Sequence, residues 1–198
     1  MEEAKMRREE IVKIWNFAGM KATKWISNDN EIVKTIPVEN RSRFLDLVDK
    51  DVCFVKTLGV SWDPITDIFS FKADLMEQSR YTKRSFLSVL VRIFDPLGLV
   101  GAYTIKGKIL LQEVWMTGLD WDQELPQSLQ EKIRVWIREA SELNQIHCER
   151  KLFSLKESEK EVHIFSDASM DAYATVGFAI ERTEFRVTAN FIMAKTKV

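Results

Sequence analysis

His163-Ile164-Phe165-Ser166-Asp167-Ala168-Ser169, continuing into Met170-Asp171-Ala172-Tyr173, decides how this chain is read. Apolar residues carry the run to Phe165, an acidic side chain closes it, and small residues turn the chain toward a second strand. The pattern predicts a short buried strand that presents an aspartate at its end. A nuclease-type metal site begins this way, because a strand holds its ligand rigidly and hard cations such as Mg²⁺ take oxygen ligands. On the residues alone the plainer reading of Asp167, a cap on the strand end or on the turn at Ala168-Ser169, is the favoured one.

Around this motif the hydrophobic period is two. Residues 162–166, 173–180 and 185–194 are three candidate strands with short connections, an antiparallel meander at the edge of a mixed sheet. The polar stretch Lys156-Glu157-Ser158-Glu159-Lys160-Glu161 before it is the best linker candidate. Further upstream the period becomes helical. Thr82 is a plausible N-cap, followed by Phe86, Val89, Leu90, Ile93 and Phe94 at helical spacing, and Asp95-Pro96-Leu97-Gly98 breaks that helix. A second helix is predicted from about Thr104 to Met116, ending at Gly118. A third starts with Ser128 and Glu131 in capping-box register, with Leu129, Ile133, Trp136, Ile137, Ala140 and Leu143 on one face.

The first 80 residues read differently. A helix is predicted over 3–18, a short strand over Ala22 to Ile26, and a short helix capped by Asn28 or Asp29, running through Val33 and stopped by Pro37. Val52, Phe54, Leu58, Val60 and Trp62 then alternate with one break at Lys56; Asp63-Pro64-Ile65-Thr66-Asp67 makes a turn, and Ile68 to Phe71 return as a hairpin.

Composition bounds the chemistry. The 198 residues are 45% hydrophobic with 6 Trp and 12 Phe, ample for a core. A net charge of -1 and a pI of about 6.2 give no global basic field, so any nucleic-acid contact must be local. Arg80, Lys83, Arg84 and Arg92, with Lys106 and Lys108 nearby, are that local candidate; the plain alternative is a solvated helix face. Trp62, Trp115, Trp121 and Trp136 are expected in the core rather than as stacking platforms. Cys53 and Cys148 lack metal-ligand spacing and read as reduced, buried thiols. His163 reads as a solvated side chain and Asp171 as a turn residue. No apolar run suits a membrane span and no leader follows the charged N-terminus, so an intracellular chain, cytoplasmic or nuclear, is expected. An aspartic peptidase needs an Asp-Thr/Ser-Gly loop and a second aspartate. Asp167-Ala168-Ser169 lacks that glycine.

Taken in order, several segments resemble the Pol polyprotein of Pao/BEL-type retrotransposons. Residues 18–28, Ala18-Gly19-Met20-Lys21-Ala22-Thr23-Lys24-Trp25-Ile26-Ser27-Asn28, look like the part of the palm that follows the polymerase active site. Leu58-Gly59-Val60-Ser61-Trp62-Asp63 is similar to a hairpin comparable to the primer grip of reverse transcriptases. Thr82-Lys83-Arg84-Ser85-Phe86-Leu87-Ser88 leading to Ile93-Phe94-Asp95-Pro96-Leu97-Gly98-Leu99 is the most specific match, and Leu119-Asp120-Trp121-Asp122 follows in place. His163 to Ser169 resembles the first strand of the RNase H domain, and Ala194-Lys195-Thr196-Lys197-Val198 the start of a later block. Ala174 stands where the family usually has glycine.

The resemblance implies an α+β chain in three parts. Residues 1–80 would be the palm end and β-hairpin, 81–155 a helical thumb or connection-like module, and 161–198 a truncated RNase H-like β-meander. It makes Asp167 the first metal-binding carboxylate of RNase H, with Mg²⁺ as the cofactor of the complete parent enzyme only. The polymerase aspartates would lie before Met1 and the remaining RNase H carboxylates after Val198, so a fragment silent by itself is expected. Its implied partners are an RNA–DNA hybrid or primer–template and the remaining Pol segments. A domesticated interaction protein without catalysis is the alternative. The family segment is also known as a Pao retrotransposon peptidase, a chemistry these residues do not match.

Overall fold

The computed structural model describes residues 2–42, 55–57, 60–155 and 157–198. They divide into two compact units, Met1–Val55 with Trp62–Asp67, and Lys56–Ser61 with Ile68–Val198. Val52, Phe54, Leu58 and Gly59 of the expected hairpin, and Cys53, fall outside the described residues.

In the first unit, α1 (Glu2–Phe17) buries no side chain fully. A second helix, α2 (Asn30–Lys34), starts where Asp29 accepts hydrogen bonds from the backbone N–H groups of Glu31 and Ile32 at 2.8 and 3.4 Å, as an N-cap should. The strand expected over Ala22 to Ile26 is reduced to one parallel bridge, Trp25 with Arg41. Its bonds are Trp25 N–H to the Asn40 carbonyl at 2.9 Å and Ser42 N–H to the Trp25 carbonyl at 2.8 Å. At the turn, the Asp63 carboxylate accepts from Ile65 N–H at 2.9 Å and from the Thr66 hydroxyl at 2.7 Å. Partial burial alone would raise its pKa, but these bonds together hold it below the usual carboxylate range.

Four short strands, β1 (Val55–Thr57), β2 (Val60–Asp63), β3 (Ile68–Phe71) and β4 (His147–Glu149), stand in that order in one sheet. β3 and β4 run antiparallel, with Phe69 opposite Cys148. Burial pushes the Cys148 thiol up.

The core of the second unit is helical. α3 (Lys83–Leu90) begins at a reciprocal capping box in which Thr82 and Ser85 satisfy each other's backbone N–H. It ends four residues short of Phe94, so Ile93 and Phe94 belong to the connection rather than the helix. α4 (Gly101–Met116) and α5 (Gln127–Glu139) follow. The expected Ser128 box at the start of α5 is not formed. Pro126 is the N-cap and has no side-chain acceptor to offer, so no side chain caps the first turn; the Pro126 carbonyl takes the N–H groups of Leu129 and Gln130 at 3.0 and 3.1 Å. Trp136 of α5 sits at the centre, stacked on Tyr103 with centroids 4.8 Å apart and edge-on to Phe86 at 5.8 Å. Its indole N–H donates to the Tyr103 carbonyl at 3.3 Å, while the Tyr103 hydroxyl donates to the Trp136 carbonyl at 2.6 Å. Both rings thus bury large apolar surface without orphaning a polar group. Gln130, also buried, takes the Tyr81 N–H and gives its own N–H groups to Glu124 and the Leu125 carbonyl.

The three expected C-terminal strands are present and longer than the sequence pattern suggested. β5 (Glu159–Ala168), β6 (Tyr173–Arg182) and β7 (Val187–Lys197) form an antiparallel meander in that order. Glu159 to Glu161, expected in a linker, already belong to β5, paired with Arg182, Glu181 and Ile180. What fixes this end is Glu181, a fully buried carboxylate on β6. It accepts from Ser154 N–H at 2.7 Å, Leu155 N–H at 3.0 Å, the Ser154 hydroxyl at 3.0 Å and the Ser158 hydroxyl at 3.2 Å. Asn190 of β7 adds a bond from its amide to the Leu152 carbonyl at 2.9 Å. A charge in such a place needs this many donors to replace water.

The meander joins the helices through the Asp95-Pro96-Leu97-Gly98 loop. The Asp95 carboxylate accepts from the N–H groups of Leu99 and Val100, both at 2.8 Å, and so organises the start of α4. Ala194 N–H of β7 donates to the Leu97 carbonyl at 2.8 Å. Gly98 has φ +76, and a Cβ there would meet the Ala194 carbonyl oxygen at 2.0 Å. Along the same strand, the Lys108 ammonium reaches the Thr196 carbonyl at 3.3 Å.

Two outcomes are expected. Gly98→Ala lowers the unfolding free energy by about 2–4 kcal/mol, combining left-handed strain with the clash on β7. Gly118→Ala, at φ +68 with nothing within 4 Å, loses only the backbone cost of about 1–2 kcal/mol. Urea midpoints compare them, and equal losses would remove the packing role of Gly98. For Glu181, burial raises the pKa, but the backbone N–H groups of Ser154 and Leu155 and the two serine hydroxyls outweigh it, so the net shift is downward. A depressed pKa contributes stability that is complete above the ordinary glutamate value of about 4.3 and is lost as pH falls through the folded value. The stability gap between the native chain and Glu181→Gln is therefore flat near neutrality and closes in acid; a gap that widens in acid would reverse the assignment.

Candidate metal and nucleic-acid site

Asp167 is the penultimate residue of β5, directly opposite Ala174 of β6, which in turn faces Thr196 of β7. By strand alternation it shares a face with Phe165 and His163. The tight turn that follows is made by Ser169, whose backbone N–H donates to the Ala172 carbonyl at 2.8 Å and whose hydroxyl accepts from the N–H groups of Asp171 and Ala172 at 3.2 Å. Asp167 therefore caps neither the strand nor the turn. Its carboxylate is exposed and makes no hydrogen bond or ion pair among the described residues.

The strand around it is not the buried one the sequence suggested. Val162, Ile164 and Phe165 remain 58, 68 and 57% exposed. β5 is an edge strand, and among the described residues only β6 pairs with it. An aromatic row nevertheless crosses the sheet, from Phe165 to Phe178 to Phe191, with centroids 6.2 and 6.1 Å apart. His163 is exposed, as expected, and its Nε2 lies 2.7 Å from the Glu161 carboxylate.

No group of three or more histidine, cysteine, aspartate or glutamate side chains among the described residues converges to hold a metal ion. A two-metal site needs several carboxylates around cations roughly 3.5–4 Å apart. Asp167 alone does not fit that requirement, so no chemical step is assigned to a metal here.

The basic cluster is divided by the fold. Lys83 is only 5% exposed, its ammonium 5.0 Å from the centre of the Trp115 ring, so burial takes it out of any exposed phosphate track. Arg84 forms a two-pronged pair with Asp122 at 2.7 and 3.0 Å and lies over Trp121 at 5.5 Å. This hydrogen bond and the arginine's charge hold the Asp122 carboxyl below its ordinary range. Lys106 faces Glu139 at 3.8 Å. Arg80 and Arg92 are exposed and unpaired among the described residues.

Two tryptophans depart from expectation. Trp136 is core, but Trp115 and Trp121 stay 45 and 43% exposed and meet edge-to-face at 5.0 Å. Trp121 and Asp122, the ring and the carboxylate that hold Arg84, are neighbours in the Leu119-Asp120-Trp121-Asp122 stretch. Nothing in the local sequence marked Glu181, whose donors lie more than twenty residues away.

No helix among the described residues is long and apolar enough to cross a membrane. Searches of curated proteins and of solved structures return no match. A family model does match, the Pao retrotransposon-like RNaseH-like domain, over residues 82–198. The match opens at the Thr82 cap of α3, takes in the helical core and the docking loop, and runs through the strand that carries Asp167. More than half of the chain lies within it, and the chain therefore belongs to the Pao retrotransposon family through this RNase H-like domain.

Proposed function

We propose that this chain is a segment of a retrotransposon Pol polyprotein that helps hold primer–template or an RNA–DNA hybrid for a parent enzyme performing RNA-directed DNA synthesis and RNA-strand cleavage. The observation that carries the reading is the state of Asp167. Inside an RNase H-like domain it is a carboxylate with no hydrogen bond or ion pair among the described residues, and it differs from Asp120, Asp171 and Glu184, which share that state, by standing at the end of a strand. An exposed acidic group without a structural partner is available as a ligand or contact. In this reading residues 1–80 are the end of a reverse-transcriptase palm with its hairpin, residues 81–155 a thumb or connection-like module, and Asp167 one corner of a Mg²⁺ site.

Arg80 and Arg92 are the phosphate contacts in this reading, because Lys83 is buried and Arg84 is held by Asp122. Each neutralised phosphate adds roughly 0.7–0.9 to the slope of log affinity against log salt. Fluorescence anisotropy with a labelled RNA–DNA hybrid should show binding that weakens steeply between about 50 and 200 mM salt, with a slope lower by about 1–2 in Arg80→Gln/Arg92→Gln. An affinity indifferent to salt, or an unchanged slope in the double variant, counts against the proposal. The chain alone should not cleave the hybrid in Mg²⁺, since one carboxylate does not make a two-metal centre. Cleavage that Asp167→Asn abolishes would show that the site is complete after all.

A further inference from the structure

The first unit contains two adjoining cavities. A groove of about 710 Å³ is lined by Ile11 and Trp15 of α1 and by residues 20–26, including Trp25. A more enclosed cavity of about 160 Å³ lies beside it, with Arg8, Asn16 and Asn40 in its wall. Lys21, Ala22 and Trp25 belong to both walls. The groove falls within the size range of about 300–1,000 Å³ typical of small-molecule sites.

The two parts differ in chemistry. The groove offers two indole rings, and Trp25 is anchored for that task. Its backbone bridges Asn40 and Ser42, and its own ring N–H is taken by the Ala22 carbonyl at 3.3 Å. The smaller cavity has no carboxylate in its wall, while Arg8 and Lys21 bring two positive charges. Arg8 Nε and Asn40 Oδ1 are buried without a hydrogen-bond partner. Only three buried side-chain atoms among the described residues share that condition, and two of them line this cavity. Buried polar groups are nearly always satisfied, so such a pairing points to a polar ligand. Turning the Asn40 amide about its last bond presents Nδ2 as a further donor.

We propose that this double cavity binds a nucleotide, with the base against Trp15 and Trp25 and the phosphate at Arg8 and Lys21. Bases stack on tryptophan faces irrespective of their identity, and an arginine donates charge-assisted hydrogen bonds to a phosphate oxygen. The site lies outside residues 82–198 and stands or falls separately from the role assigned to that domain.

Isothermal titration of the 198-residue chain with AMP, adenosine, inorganic phosphate and a 5′-phosphorylated tetradeoxyadenylate tests it. AMP is expected to bind about tenfold or more tightly than adenosine or phosphate. Arg8→Gln and Lys21→Gln should each weaken AMP by about five- to tenfold and leave adenosine unchanged. Arg8 makes no hydrogen bond or ion pair among the described residues, so its variant should keep the native thermal midpoint, and Lys21→Gln provides a second, independent reading. AMP tighter than the oligonucleotide identifies a free nucleotide as ligand, and the reverse order identifies a strand end; both support the site. Equal binding of AMP and adenosine, unchanged AMP affinity in both variants, or no heat with any of the four probes overturns it.

Discussion

One backbone hydrogen bond, from Ala194 N–H to the Leu97 carbonyl, holds helices and strands of the RNase H-like domain together, and its surroundings are built to permit it. Asp95 takes the N–H groups of Leu99 and Val100, the two residues that lead into α4, so the loop is fixed before it meets β7. Gly98 then brings bare backbone against Ala194, where any side chain would collide. Lys108 continues the contact at Thr196 one turn or more along α4. The family match over residues 82–198 consequently covers a joined body, in which the helical core and the meander share a seam.

The carboxylates of this body have separate uses. Glu181 is spent on structure, gathering two backbone donors and two hydroxyls from the segment that leads into β5. Asp122 is spent on Arg84, and Asp95 on the start of α4. Asp167 is left over. Asp120, Asp171 and Glu184 also lack partners among the described residues, but of these four only Asp167 stands within a strand, where the backbone holds it in place.

The sequence was informative wherever a signal was local. Thr82 as a cap, Asp29 at α2, the apolar face of α5 and the period-two strands all follow from neighbours within a few residues, and each is present in the structure. It was less informative where distant residues decide. The Ser128 box is not formed, because α5 already begins at Gln127 and Ser128 falls inside its first turn. Lys83 looked like part of a basic track, but the Trp115 ring, more than thirty residues on, covers it. Ser158 looked like linker polarity until Glu181, on a distant strand, claimed its hydroxyl. Of the candidate site, the position of Asp167 at a strand end was legible, but that Ser169 and not Asp167 makes the turn was not. A hydroxyl and a carboxylate two residues apart suit that task equally well in sequence.

The seam at Leu97 and Ala194 also sets an order of assembly. Closing a loop of that length costs entropy that grows with the logarithm of the intervening chain, whereas the contacts among α3, α4 and α5 span shorter separations. The aromatic nest of Phe86, Tyr103 and Trp136 is complete in the sequence well before β7 has been synthesised. Sequence separation therefore favours gathering of the helices first, with β7 docking onto a loop already shaped for it. Until it does, the Leu97 carbonyl and the backbone of Gly98 stay open to water, which makes this loop the natural place to watch the final stage of folding.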